Sequence, residues 1–371
     1  MNKIIYLDAA ASALKPEIVI KAEKEFLQND YANAGRGICS RAAAVDKSLL
    51  DVRKKVCDFI NADSPSQIIF TSGSTDGLNR IVNILNASNK INNGTVVAVS
   101  DLDHHSARLP WVAFKEKNIN VVISPLDDNW NFDLALIPTA DIMVITAMSN
   151  VLGMPIDVKA VIDAARKKNP DVITIVDAAQ YVVHQEINAK NWGADFICFS
   201  GHKIGADTGV GVMYIKNPDD FYPDKFGGGM VNKILNENDF SLNTAPDKFE
   251  AGTLPITQII GMGKAIDYLK NNRPNLNLVK YLYDELSKNS KIKILTSRDS
   301  TLLTFTVIDM HALDFGALAG VRGLCLRVGN MCAGWIHNAL GLSGSIRISV
   351  GSWNTMDEMC EVVNIINKIV K

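Results

Sequence analysis

Six stretches of this chain, "TVVAVSD", "INVVISPL", "DIMVITAMS", "VITIVDAAQ", "ADFICFSG" and "VGVMYI", are short, β-branched and almost free of polar interruption. A strand with one face in water alternates polar and apolar residues. A run that does not alternate has both faces covered, and such strands belong to parallel or mixed sheets sandwiched by helices. The segments between them supply the helices. In "PEIVIKAEKEFLQN", Pro16 takes a first-turn position and Val19, Ala22 and Phe26 form one face. "SLLDVRKKVCDFINA" repeats the pattern with Leu49, Val52, Val56 and Phe59, and "DVKAVIDAARKKNP" is a further candidate. The first ~250 residues read as one large α/β domain. After "FEAGTLPITQIIGMGKAIDYLK" the texture changes to strands "LLTFTVIDM", "GLCLRVG" and "GSIRISVG" and a closing helix "TMDEMCEVVNIINKIVK". That is a smaller α+β domain, with its boundary near 255–260.

Composition narrows the function. The net charge of −2 gives no pull toward nucleic acid or anionic lipid, so a small-molecule substrate or a protein partner is expected. No apolar run approaches the ~18 residues of a membrane span, and "MNKIIYLDAA" lacks the apolar core of a signal peptide. The six cysteines, Cys39, Cys57, Cys198, Cys325, Cys332 and Cys360, form no C-x-x-C pair and suggest neither a metal site nor a disulfide framework. A reducing, cytoplasmic setting is expected.

"DFICFSGHKIGADTGVG" places Lys203 where a buried strand gives out, with a histidine before it and small residues after it. It is either a surface charge or a reactive amine. In "FTSGSTDGLN", Gly73, Ser74 and Thr75 lie between a strand and a helix start, either as an N-cap turn or as a cradle for phosphate. Asp177 in "VITIVDAAQ" caps a turn or faces a cationic ligand group. His104 and His105 in "DLDHH" are a plain loop pair, or one imidazole lies flat on an aromatic ring. Together these residues make the set that pyridoxal phosphate needs. The amine bonds the aldehyde, an acid keeps the pyridine nitrogen protonated, and the phosphate takes a helix start. All lie at the C-terminal ends of strands, where open α/β sheets bind ligands.

The chain resembles the class V, fold-type I pyridoxal-phosphate enzymes, and within them the cysteine desulfurases of the SUF type. The resemblance runs from "YLDAAASALKP" through "FTSGSTDGLN", "DHHSARLPW", "SNVLG", "VDAAQ", "FSGHK" and "FEAGT" to "RVGNMCAG". It implies an α/β fold of the PLP-dependent transferase type. Residues 12–257 would form the large PLP-binding domain, with a mainly parallel mixed sheet. Residues 1–11 and 258–371 would form the small α+β domain carrying the active-site cysteine and the carboxylate-binding arginine. Lys203 would anchor the cofactor, Asp177 would pair with the ring nitrogen, Gln180 with the ring hydroxyl, and His104 would stack on the ring. Ser74, Thr75, Ser200 and His202 would bind the phosphate. Thr253 would reach the phosphate of a neighbouring subunit, which implies a homodimer with shared sites. Asn150, Arg347 and Arg327 would hold the substrate amino acid, Arg347 on its carboxylate. Cys332, downstream of Arg327, would be the thiolate that takes sulfur from L-cysteine, leaving alanine and a persulfide. The other cysteines would be packing residues. The short stretch between Cys332 and Gly344 implies limited reach and hence a dedicated sulfur-acceptor protein serving Fe–S cluster or thio-cofactor assembly.

The chain departs from the SUF pattern near the substrate. Asn330 and Met331 replace two histidines, Ser72 replaces an arginine, and Gly35 replaces a histidine before Arg36. "IGADTG" replaces the usual loop after the lysine, changing its stiffness and charge at Gly205 and Asp207. Two other readings stay open at this point. One is a related class V enzyme (a selenocysteine lyase, C–S lyase or epimerase) that does not use Cys332 as nucleophile. The other is a non-catalytic scaffold that binds a sulfur-transfer partner.

Overall fold

The computed structural model describes residues 4–35, 37–114 and 117–371. Its strands, in chain order, begin with β1 (Ile5–Tyr6), β2 (Ile68–Thr71), β3 (Val96–Val99), β4 (Asn120–Ile123) and β5 (Ile142–Thr146). Then come β6 (Ile173–Asp177), β7 (Phe196–Ser200), β8 (Gly211–Ile215), β9 (Val231–Asn236) and β10 (Asp239–Leu242). The last are β11 (Ile292–Ile294), β12 (Leu303–Val307), β13 (Leu324–Cys325), β14 (Arg327–Gly329) and β15 (Ser345–Ile348).

The apolar runs assemble into one sheet of seven strands in the order β2-β8-β7-β6-β5-β3-β4. The neighbours from β7 to β4 pair in parallel, and β8 runs antiparallel to both β7 and β2. The pleat explains the lack of alternation. In β5, Ile142 and Val144 enter one core while Met143 and Ile145 enter the other, and Phe196 and Ile197 of β7 divide the same way. The strand from "INVVISPL" differs from expectation. β4, at one edge of the sheet, is half exposed, whereas β2 at the other edge is buried along its whole length. The hairpin of β9 and β10, mostly exposed, has no counterpart in the sequence reading.

The second unit is the antiparallel sheet β11-β12-β15-β14, whose core includes the helices Leu276–Leu286, Ala312–Val321 and Met356–Ile369. Ile5 and Leu7 belong to this core, and β1 pairs in parallel with β13. Packing divides the chain later than residue 257. In the helix Ile256–Asn271, residues Ile259, Met262, Ile266 and Leu269 are buried in the larger core, so that helix goes with the large unit.

This helix packs on the helix Glu17–Glu25 with Gly261 facing Glu23, whose Oε1 is buried without a partner. Burial, and then Asp207, push the Glu23 carboxyl up to about 7 against the pull of Lys15. With the folded value above the unfolded one, the stability associated with Glu23 is present below about pH 4.5 and lost as pH rises through 7. Glu23→Gln should therefore raise the thermal unfolding midpoint at pH 8 and leave it nearly unchanged at pH 5. An equal shift at both pH values would refute this account.

Candidate active site

Strand register builds the rim. Thr146 lies opposite Asp177 at the ends of β5 and β6, and Ser200 and Thr71 both lie opposite Gly211. A Cβ at Gly211 would sit 2.5 Å from the Cα of Gly73, so only glycine lets the turn after β2 close onto the sheet. Gly73 itself has φ +148°, and the helix Ser74–Ala87 starts directly after it. Above this rim is a cavity of about 280 Å³ lined by Ser74, Thr75, His104, Asn150, Asp177, Gln180, Ser200, His202, Lys203, Arg327, Cys332 and Arg347. Every residue assigned a catalytic, cofactor or substrate role from the sequence lines it except Thr253. That threonine is exposed on a separate cavity beside Gly228 and Asn243.

At one end, the Ser74 N–H donates to Ser200 Oγ at 2.7 Å, and the two hydroxyls lie 2.8 Å apart. Burial, then Lys203 and Lys15, push His202 down to about 4, so its ring is neutral at neutral pH. Two hydroxyls at a helix start suit an anion. Asp177 caps a turn, as considered for it, and also faces the cavity. Its Oδ1 accepts the Ala179 N–H at 3.0 Å, which caps the turn, and its carboxylate lines the cavity. Gln180 Nε2 donates to the Ala10 carbonyl at 2.7 Å. Burial pushes His104 down to about 4, with Asp177 opposing and Lys203 assisting. Its Nδ1 accepts the Ser106 N–H at 3.2 Å and lies 2.7 Å from Ser106 Oγ, a partner the sequence did not signal. Burial lowers Lys203 to about 8, with Asp177 and Cys332 raising it and Arg347 lowering it. Among the described residues its Nζ has no hydrogen-bond or ion-pair partner. Such an amine has a substantial neutral, nucleophilic fraction near neutral pH.

At the other end, the Arg347 guanidinium donates to the Asn150 carbonyl at 2.9 Å and to Asp8 Oδ1 at 3.0 Å. Arg327 meets the other oxygen of Asp8 at 2.6 Å. The register of β14 and β15 sets the two arginines opposite each other. Two guanidiniums on one carboxylate leave a positive charge in excess at the cavity. Arg347 Nε and Asn150 Oδ1 are both buried with no partner. Asp8, in "YLDAAAS", was not anticipated as a site residue. Its signal was an acid placed directly after a short apolar strand. Asp8→Asn should cost about 3 kcal/mol of unfolding free energy, because Arg347 is 2% exposed and would lose its counter-charge. Denaturant unfolding checks this, and a midpoint equal to wild type would contradict it.

Cys332 is exposed at the cavity edge, just past β14. It has φ +53° and Met331 has φ +51°, successive left-handed conformations that side chains disfavour. Asn150 Nδ2 holds the Met331 carbonyl at 2.8 Å. The stretch beyond Cys332 contains the helix Gly334–Ala339. Of the other cysteines, Cys57 and Cys198 are buried as packing residues, whereas Cys39, Cys325 and Cys360 are exposed. Cys39 lies just before the helix Ser40–Phe59, Cys325 ends β13 and Cys360 is on the helix Met356–Ile369; all three face water, so the packing role expected of them does not hold. Arg36, noted in the sequence, lies outside the described residues.

A helix-start cradle, a buried carboxylate, a neutral imidazole and a partnerless amine of lowered pKa fit pyridoxal phosphate, and the orphaned Arg347 and Asn150 atoms leave polar capacity beside it for a substrate. Fold and site together define a fold-type I pyridoxal-phosphate protein. The aminotransferase class-V family model matches residues 5–362, and the chain belongs to that family, whose members depend on pyridoxal phosphate. It is 31% identical to a cysteine desulfurase of Wigglesworthia glossinidia brevipalpis, across 100% of this chain and 93% of that protein. It is 32% identical to a cysteine desulfurase of Salmonella gallinarum, across 97% and 92%. Among solved structures, the cysteine desulfurase CsdA of Escherichia coli (S-sulfonic acid) superposes with a TM-score of 0.90 at 30% identity, covering 98% of this chain and 94% of that one. An apo cysteine desulfurase of Thermococcus onnurineus NA1 gives 0.93 at 28% identity, covering 99% and 94%.

Proposed function

We propose that this protein is an L-cysteine desulfurase that forms L-alanine and a persulfide on Cys332, then passes the sulfur to an acceptor protein for Fe–S cluster or thio-cofactor assembly. The observation that carries the reading is the convergence of Lys203, Arg347 and Cys332 on one cavity. Relatives of this name over nearly the whole chain support it. Pyridoxal phosphate held at Lys203, Asp177, Gln180, His104 and the Ser74–Thr75–Ser200–His202 cradle supplies an electron sink conjugated to the substrate's α-carbon.

The chain's own residues do the rest. Arg347, assisted by the positive charge of Arg327, takes the substrate carboxylate, and Asn150 Oδ1 offers an acceptor for its nitrogen. Lys203 removes and returns the proton at the α-carbon, a task suited to an amine titrating near 8. The Cys332 thiolate attacks the substrate sulfur. An S–S bond forms, the C–S bond breaks, and its electron pair passes to the β-carbon, which takes a proton and becomes the methyl of alanine. No external oxidant or reductant is needed until the sulfur is handed on. The short helical stretch after Cys332 limits the reach of the persulfide, which favours delivery to a docked acceptor.

Thr253 supports a homodimer. Glu250 fixes its segment by a paired contact with Arg53 at 2.8 and 2.7 Å, yet Thr253 remains exposed and away from its own chain's cavity. In a homodimer it would serve the phosphate site of the second copy. No helix among the described residues is long and apolar enough to cross a membrane. The test is incubation with L-cysteine, followed by alanine assay and mass spectrometry. One added sulfur atom at Cys332 with alanine formed supports the reading. Neither product would end it.

A further inference from the structure

His105 is unused in the scheme above, yet it grips the loop that carries the nucleophile. Its backbone N–H donates to the Cys332 carbonyl at 2.7 Å. Its Nε2 accepts the Gly334 N–H at 3.1 Å, which a neutral ring with its proton on Nδ1 can do and an imidazolium cannot. The ring stands edge-on to Trp335, 5.3 Å between centroids and 83° between planes. Arg108 lies over the same indole at 4.3 Å and pairs with Asp101 at 3.3 Å. The loop needs holding, because Met331 and Cys332 sit in successive left-handed conformations. His104, the preceding residue, lines the cavity. One helix start therefore presents one histidine to the cavity and the next to the nucleophile's loop.

We propose that His105 is a positioning residue for sulfur transfer. It sets where the Cys332 thiol stands relative to the cofactor cavity by two bonds just C-terminal to the cysteine: its backbone N–H to the Cys332 carbonyl, and its ring Nε2 from the Gly334 N–H. The proposal rests on the desulfurase reading for its kinetic consequence and on geometry alone for its effect on the loop.

The test uses the full-length, cofactor-loaded enzyme as wild type, His105→Phe and His105→Gln. Phenylalanine keeps a ring against Trp335 but cannot accept from Gly334, whereas the glutamine amide oxygen can. In His105→Phe, the spectral change on adding L-alanine should be unaltered while kcat for alanine formation from L-cysteine falls roughly tenfold to a hundredfold, as for a misplaced reacting group. Alkylation of Cys332 by iodoacetamide should be faster than in wild type. His105→Gln should recover most of both losses. Wild-type kcat and alkylation rate in His105→Phe would overturn the proposal. So would weakened L-alanine binding in step with kcat, or a His105→Gln variant no better than His105→Phe. If wild-type protein forms no alanine, the desulfurase reading fails, and the alkylation rates still decide the role of His105.

Discussion

Replacing Lys203 with alanine should yield protein in which borohydride no longer fixes the cofactor and alanine formation falls by roughly ten-thousandfold or more. The size of the effect follows from two tasks resting on one nitrogen. Among the described residues Lys203 is the only lysine lining the cavity, so none of them offers a second amine to replace the covalent anchor. It is also the group whose pKa, lowered to about 8 by burial and Arg347 against the pull of Asp177, suits it to shuttle the α-proton. Lys203→Arg should fare no better, because a guanidinium stays protonated and cannot act as a nucleophile. The fold should survive, since Nζ has no protein partner among the described residues to lose. A variant that keeps a borohydride-fixed cofactor on another lysine, with activity near wild type, would overturn the assignment.

Replacing Cys332 with alanine should separate the two halves of the site. Cofactor absorbance and its response to L-cysteine should match wild type, while persulfide disappears and alanine formation falls by roughly a hundredfold to a thousandfold. Only the sulfur is removed. The Cys332 carbonyl that accepts the His105 N–H at 2.7 Å remains, and alanine is as able as cysteine to occupy φ +53°. Continued alanine formation at the wild-type rate would mean that Cys332 is not the acceptor of the substrate's sulfur. It would return the chain to the lyase-type readings left open by its sequence.

Much of this was legible from local pattern. The buried sheet followed from unbroken apolar runs, because each of those strands except the edge β4 is covered on both faces. Asp177 and Lys203 stood out as polar residues at the end of such runs, and Ser74 as a hydroxyl in a small-residue turn before a helix. What stayed hidden depends on partners far away in the chain. His105 read as a loop histidine because Gly334 lies 229 residues on. The helix after "FEAGT" carried no mark of which core it would join, and its packing on the helices Glu17–Glu25 and Ser40–Phe59 decided the matter. The exposure of Cys325 was likewise unreadable, since its strand pairs with β1 and leaves the thiol outside.

The Asp8–Arg347 contact joins residues 339 positions apart. On a ribosome adding about 5–20 residues per second, the acid waits roughly 20 to 70 seconds for its arginine to be synthesised. Once β8 has been added the nascent chain can close its large sheet, but until Arg347 follows it cannot assemble the pocket for a free amino acid. A chain stalled before Arg347 would hold its large sheet yet lack the guanidinium that completes the pocket.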